Sequence, residues 1–338
     1  MNKTINFKII AETAFSHEGD IGYLYKQIDE AKKGQVDFIK FQVLVDPQES
    51  YVNIQEIDKI REWIFDKSDW VKIFKYANDI NLQIIALPIN QSSAKFCIQY
   101  ERLIDAYEIH SVCFHDIYTI DELVKTKKDV ILGIGGRLPQ EIDAVIKQFK
   151  CNKIILMTGF QSFPTDYNYI GLKKIRSLKE LFNCEIGYAD HTKFDDVFFH
   201  NLNDYAFING ANYFEKHIVL EKGRKRIDFE SGIKADDFMK LRESLNRITQ
   251  ILGDGNIFNL NDKELIYRKR EKQIVYAKDL YKEHIIKKED LFFKISNDKS
   301  DFEQVDIKSV IGRKILKDVR ANEVVRYAHL GERINETY

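Results

Sequence analysis

The sequence predicts an α/β fold: a (β/α)8 barrel of the TIM type followed by a small C-terminal β-rich domain. Three observations predict it. Short apolar runs alternate with amphipathic stretches up to about residue 252. Eight strand–helix units occupy roughly 250 residues, the size of such a barrel. Beyond Gln273 the apolar period shortens to that of short strands. A doubly wound open sheet shares the alternation, because periodicity does not show closure. Both architectures place ligands at the carboxyl ends of their strands.

The elements follow in order. Phe7–Glu12, Val36–Gln42, Leu82–Leu87, Ala106–His110, Val130–Ile134, Lys153–Met157, Glu185–Ala189 and Asn212–His217 read as strands, each brief and bounded by turn or charged residues. Between them Ile21–Lys33, Trp70–Asn78, Ile120–Lys127, Glu141–Phe149 and Gly171–Phe182 read as helices. The last helix, Ala235–Leu252, carries Phe238, Leu241, Leu245, Ile248 and Leu252 at helical spacing. Gly253-Asp254-Gly255-Asn256 breaks it. The predicted organisation is therefore a barrel over residues 1–256, a charged linker over 257–272 and a small domain over 273–338. In that domain Ile274–Ala277, Leu291–Phe293 and Val324–Arg326 read as short strands.

Composition narrows the class. With 52 Lys and Arg against 53 Asp and Glu, the net charge is −1, which argues against a dedicated nucleic-acid or membrane-surface binder. Apolar residues make up 44%, enough for a sizeable core. No apolar run approaches the roughly 20 residues of a membrane helix, and Met1 to Phe7 lacks the apolar stretch of a secretory signal. Cys97, Cys113, Cys151 and Cys184 are scattered without CxxC spacing, so reduced thiols in a cytoplasmic protein are expected, and no zinc–cysteine site.

Polar residues at strand ends are the candidates for chemistry. Glu12 ends the first strand, where a carboxylate suits a sugar hydroxyl or a reacting water. A solvated strand-end charge is the plain alternative. Lys40 and Gln42 lie two apart, so strand period puts both on one face and Phe41 on the other. A buried lysine needs an anion, which is either a substrate or a carboxylate of the barrel core. The segment Gly187 to Thr192 closes the seventh strand and Phe214 to His217 the eighth, so His191 and His217 stand at neighbouring strand ends. Two imidazoles so placed suit one divalent metal, with Glu215 on the face of His217 as a supporting carboxylate. Asp228 follows in the next loop. Gly133-Ile134-Gly135-Gly136-Arg137 follows the fifth strand, where glycine amides and the Arg137 fork suit an anion and a tight turn equally.

Taken together these segments resemble the N-acetylneuraminate (sialic acid) synthase family, with its pseudaminic and legionaminic acid relatives. The matching pieces are Ile10-Ala11-Glu12 with His17 and Gly19, then Asp37 to Gln42, Phe163-Pro164-Thr165, Ile186 to Thr192, and Glu215-Lys216-His217. The tail resembles the family's antifreeze-like (SAF, β-clip) domain in Ile274 to Asp279, Lys288 to Leu291 and Val310 to Lys314. The resemblance implies condensation of phosphoenolpyruvate with an N-acyl-mannosamine-like aldose and release of phosphate. It implies a divalent metal, Mn2+ or Mg2+, as Lewis acid on the sugar aldehyde. His191 and His217 carry over as metal ligands. Glu12, Lys40, Gln42, Ser111 and Asp228 carry over as catalytic or substrate contacts. His17, Glu108, Arg137, Tyr188 and Asp190 complete the expected substrate-binding set. The resemblance also implies a homodimer in which each small domain covers its partner's barrel mouth.

Several positions depart from the family pattern. Glu108 stands where a strand-4 lysine is usual, Gly133 where a strand-5 serine is usual, and Ala189 where a serine precedes the Asp-His pair. Pro88-Ile89 replaces the usual Pro-Phe, and the cap-domain arginine has no match near Lys294-Ile295-Ser296-Asn297. Two rival readings follow from these departures: a barrel aldolase or lyase that keeps the metal without phosphoenolpyruvate, and a non-catalytic sugar-binding paralogue.

Overall fold

A computed structural model describes residues 6–52, 57–159, 162 and 164–334. Phe163, named in one of the motifs above, lies outside them. The chain divides into two compact units, Met1–Asp254 and Gly255–Tyr338.

In the first unit the strands are β1 (Lys8–Glu12), β2 (Phe38–Val43), β3 (Gln83–Pro88), β4 (Ala106–Ile109), β5 (Asp129–Gly133), β6 (Ile154–Thr158), β7 (Glu185–Ala189) and β8 (Ala211–Ile218). Each pairs in parallel with the next, and β1 pairs with β8, so the sheet closes and the open-sheet alternative falls. A two-residue strand, β9 (Gly232–Ile233), adds to β8 beyond His217.

Closure sorts the side chains by strand period. Ile10, Ile85, Ala106, Ile131, Ile155, Met157 and Tyr213 fill the barrel interior. Their neighbours Ile9, Ile39, Ile84, Tyr107, Val130, Leu156, Ile186 and Phe214 face the helices. Phe41 belongs to this outer layer, its ring 6.0 Å from Trp70 and 6.1 Å from Phe74. Burying such a side chain contributes about 1.5–3 kcal/mol. At Gly187 a Cβ would meet Met157 Sδ at 2.6 Å, so a larger residue there would have to displace the flexible end of the Met157 side chain inside the barrel.

Helix Ile21–Lys33 shows why the outer ring forms. Asp20 caps it by accepting from Tyr23 N at 2.9 Å, and Lys32 and Lys33 sit at its negative end. Its buried face is Tyr23, Leu24, Gln27, Ile28 and Ala31, at helical spacing. The terminal helix Ala235–Leu252 has the expected bounds.

The second unit pairs β10 (Gln273–Tyr276) with β11 (Leu291–Lys294), and β12 (Arg313–Ile315) with β13 (Leu330–Arg333), both antiparallel. Two expectations change here. Val324–Arg326 is not a strand; Val324 makes a single antiparallel bridge to Val275. The segment read as a linker contains a helix, Asp262–Arg268. Asn261 and Glu264 form a capping box at its start, a local signal that the density of charge obscured.

Candidate active site

The interior face of the barrel turns polar towards the carboxyl ends of the strands. Two residues beyond Ile10, Ala106 and Tyr213, the same face carries Glu12, Glu108 and Glu215, and two beyond Phe38 it carries Lys40. These four side chains converge. Lys40 Nζ lies 2.7 Å from Glu215, 2.9 Å from Glu108 and 3.4 Å from Glu12. All four are buried. The core ion-pair alternative for Lys40 is thus present, with three carboxylates where one would neutralise it. They line a cavity of about 260 Å³ together with Gln42, Ser111, His191, His217 and Asp228.

Burial and crowding set the protonation states. Burial pushes Glu108 up to about 7 and Glu215 up to about 8, against the opposing pull of Lys40. Glu12 is raised for the same reason. Burial, with Glu230 nearby, raises Asp228 to about 6. The three glutamates hold Lys40 above the usual lysine range despite its burial. Burial thus moves Glu108, Glu215 and Asp228 towards the range that suits acid–base chemistry, with Glu12 raised in the same direction. Asp228 reaches the cavity through a left-handed backbone, φ 60°.

Glu12, His191 and His217 each offer a ligand atom, all within 4.8 Å of one another. Glu12 lies 3.7 Å from His217 Nε2, and the two imidazole rings are 5.3 Å apart. Burial lowers His217 to about 3 and holds His191 well below the usual range, with neighbouring positive charge adding to both. Both rings are therefore neutral with lone pairs to give. One carboxylate and two neutral imidazoles fit a divalent metal ion.

Four expected residues are turned away from this cavity. Tyr188 is on the odd face of β7 and packs in the outer layer. Asp190 pairs with Lys216 at 3.1 Å behind the barrel wall. His17 stacks on Phe65 at 4.6 Å, its Nδ1 accepting from Gly19 N at 3.1 Å. Arg137 donates to the Ser111 carbonyl at 2.5 Å, pairs with Glu141 at 3.4 Å and covers Phe114. Gly135, Gly136 and Arg137 line a separate apolar groove. Conversely, the cavity contains His110, which sequence reasoning passed over. Strand period offered the signal, since residues 106, 108 and 110 share a face.

A closed parallel barrel with buried carboxyls and a possible metal-binding triad at the carboxyl ends of its strands defines the TIM-barrel class, with the candidate site on the face where such barrels carry theirs. Comparison with known proteins narrows the class. A model of the NeuB family matches residues 27–257, and one of the SAF domain matches 272–331. The chain belongs to the NeuB family and carries a C-terminal SAF domain. It is 26% identical to pseudaminic acid synthase of Campylobacter jejuni over 340 residues, 94% of this chain and 95% of that one. It is 25% identical over 336 residues to an uncharacterized protein of Methanocaldococcus jannaschii, covering 95% and 94%. Among solved structures, N-acetylneuraminic acid (sialic acid) synthetase from Leptospira borgpetersenii superposes with a TM-score of 0.71 at 25% identity, covering 78% and 92%. Spore coat polysaccharide biosynthesis protein spsE from Bacillus subtilis, with a TM-score of 0.64 at 15% identity over 97% and 96%, shares the fold. Among the described residues no helix is long and apolar enough to cross a membrane.

Proposed function

We propose that the protein is a nonulosonic acid synthase-type enzyme. It condenses phosphoenolpyruvate with the aldehyde carbon of an N-acyl-mannosamine-like aldose and releases phosphate. The observation that carries the reading is the convergence of Glu12, His191 and His217 beside Lys40 at the barrel mouth of a NeuB-family chain.

Glu12, His191 and His217 would hold a divalent ion, which when bound supplies Lewis-acid polarisation of the sugar aldehyde. The remaining work falls to the chain itself. Lys40 faces the anionic end of the donor, and Gln42 and Ser111 offer hydrogen bonds that orient it. Asp228, raised to about 6, is suited to deliver a proton to the oxygen of the former aldehyde as the new bond forms. The depth of the cavity limits water around the reacting carbon. The family resemblance adds a homodimer whose SAF domains complete the sites, and a cytoplasmic setting; sedimentation of the full chain tests the former.

A panel of aldoses incubated with Mn2+ and phosphoenolpyruvate, read by mass spectrometry and for released phosphate, tests the reading. Products heavier than the aldose by a pyruvate unit are expected. Absence of bound metal together with absence of product favours the sugar-binding alternative, because bound metal argues against a non-catalytic paralogue.

A further inference from the structure

His110 follows β4 and lines the cavity, in strand period with Ala106 and Glu108. It also caps the short helical turn Ser111–Cys113: its Nδ1 accepts from Val112 N at 3.1 Å. A ring nitrogen that accepts a backbone N–H carries its lone pair, so a neutral imidazole here has its proton on Nε2. The ring is neutral, because burial lowers His110 to about 4 and the Lys40 ammonium adds to the effect. Among the described residues Nε2 makes no hydrogen bond. Strand order sets this donor across from the metal-type triad. Glu12 ends β1, His191 follows β7 and His217 is on β8, whereas β4 is on the opposite side of the closed barrel from β8. A sugar aldehyde polarised at the triad therefore leaves its reaction partner the β4 side of the cavity, where Ser111 adjoins His110.

We propose that His110 is a substrate-binding residue, donating from Nε2–H to an anionic oxygen of phosphoenolpyruvate on the β4 side of the cavity. The inference rests on the synthase-type reading above and adds a residue to it. The cap is what makes the ring a donor. A neutral imidazole free of the cap could present either nitrogen, and one that turned a lone pair to the cavity would repel an anionic oxygen. Val112 N fixes the tautomer, and the tautomer fixes the polarity that this wall shows the substrate. One ring thus closes the turn after β4 with one nitrogen and serves the site with the other. Its role is to bind and orient; no proton or covalent bond changes hands through it.

Two measurements on the full-length protein test this. Two-bond proton–nitrogen correlation spectra of histidine-labelled protein report the tautomer, with the His110 ring assigned by its loss in His110→Asn. The Nε2–H form is expected, and its nitrogen should shift when phosphoenolpyruvate is added with Mg2+. Calorimetry of phosphoenolpyruvate binding with Mg2+ then compares the unaltered protein with His110→Asn and His110→Ala. Asparagine can still accept from Val112 N through its side-chain oxygen, but it is too short to carry a donor to the position of Nε2. The dissociation constant should rise about tenfold or more in His110→Asn at unchanged thermal stability, and by a similar factor in His110→Ala with some loss of stability. Full affinity in His110→Asn assigns the ring to the turn alone and overturns the inference, as does an Nδ1–H tautomer; both leave the synthase-type reading standing. Absence of phosphoenolpyruvate binding by the unaltered, metal-loaded protein overturns both.

Discussion

Among the described residues of the barrel two lysines, Lys40 and Lys216, are almost completely buried, and they are used in opposite ways. Lys216 lies behind the wall formed by β7 and β8. It meets one carboxylate, Asp190, at 3.1 Å, and donates to the Thr192 carbonyl at 2.7 Å. Asp190 accepts from Thr192 N at 2.9 Å and from Asn203 at 2.9 Å. Burial would raise Asp190, yet Lys216 and Thr192 hold it below the usual carboxylate range. The pair is matched and locked in its ionised state. Lys40, inside the mouth, has three carboxylates, and two of them are raised to about 7 and 8. A matched pair specifies structure. An unmatched cluster keeps protons in play, and it lies where the cavity is.

The largest effect that would sharpen this contrast is on metal content. His191→Ala and His217→Ala should each lower bound Mn2+ by at least tenfold in the dialysed protein, and the double variant should hold none at the site. Thermal stability of the metal-free forms should change little, because the cluster does not brace the fold. Unchanged metal content in the double variant would remove the triad from the mechanism.

Next in size is the cost of removing each lysine. Lys216→Met leaves Asp190 charged and buried without its partner, and should destabilise the metal-free protein by about 3–5 kcal/mol. Lys40→Met should cost less, about 1–2 kcal/mol, because Glu108 and Glu215 can take up protons instead of standing uncompensated. Guanidinium unfolding of both variants measures the difference. Equal losses would break the distinction between a matched pair and an unmatched cluster.

The contrast also has a pH signature. Glu108 is raised from 4.5 to about 7, so the folded state binds its proton more tightly than the unfolded chain. That contribution to stability is fully present below about pH 4.5 and is lost as pH rises through about 7. The loss should be on the order of 2–3 kcal/mol for metal-free protein. Asp190 works the other way: being lowered, it contributes above its ordinary range and loses that contribution as pH falls. Glu108→Gln should reduce the neutral limb of the stability profile to the part set by Glu215 and Asp228, and leave the acid limb in place. An unchanged slope near neutral pH would assign the whole of it to those groups.

How much of this was legible in the sequence depends on what constrained each residue. Alternation over the strands placed Glu12, Lys40, Gln42 and His217 correctly, because period 2 and a closed sheet leave a strand residue only two faces. The same rule argued against Tyr188, which is adjacent to the inward Ala189 and so must face out. His17, Asp190 and Arg137 lie beyond strand ends, where alternation no longer constrains direction and loop hydrogen bonds decide it. The partners of Lys40 were least legible. Glu108 is 68 residues away along the chain, and only barrel closure and register bring the two together. The departure of Glu108 from the family pattern was visible; that it would answer Lys40 directly was not.

The smallest predicted effect concerns Arg137, expected from the resemblance in the substrate-binding set. Its guanidinium is taken up by the Ser111 carbonyl, Glu141 and the face of Phe114, and it lines the groove beside the mouth. Arg137→Ala should therefore cost stability, about 1 kcal/mol, through the lost hydrogen bond and the packing of its stem. Ser111 is held from its backbone by this contact, so a slight loosening of the mouth is expected. The Michaelis constant for the donor should rise less than about twofold, far below what loss of a direct charge-assisted contact would cause. Arg137→Lys should restore part of the stability, since an ammonium can still donate to the carbonyl without the stacked fork. If instead Arg137→Ala raised that constant tenfold or more while leaving stability unchanged, the side chain would have to swing into the cavity to meet substrate. The donor would then meet a second cation of the chain besides Lys40.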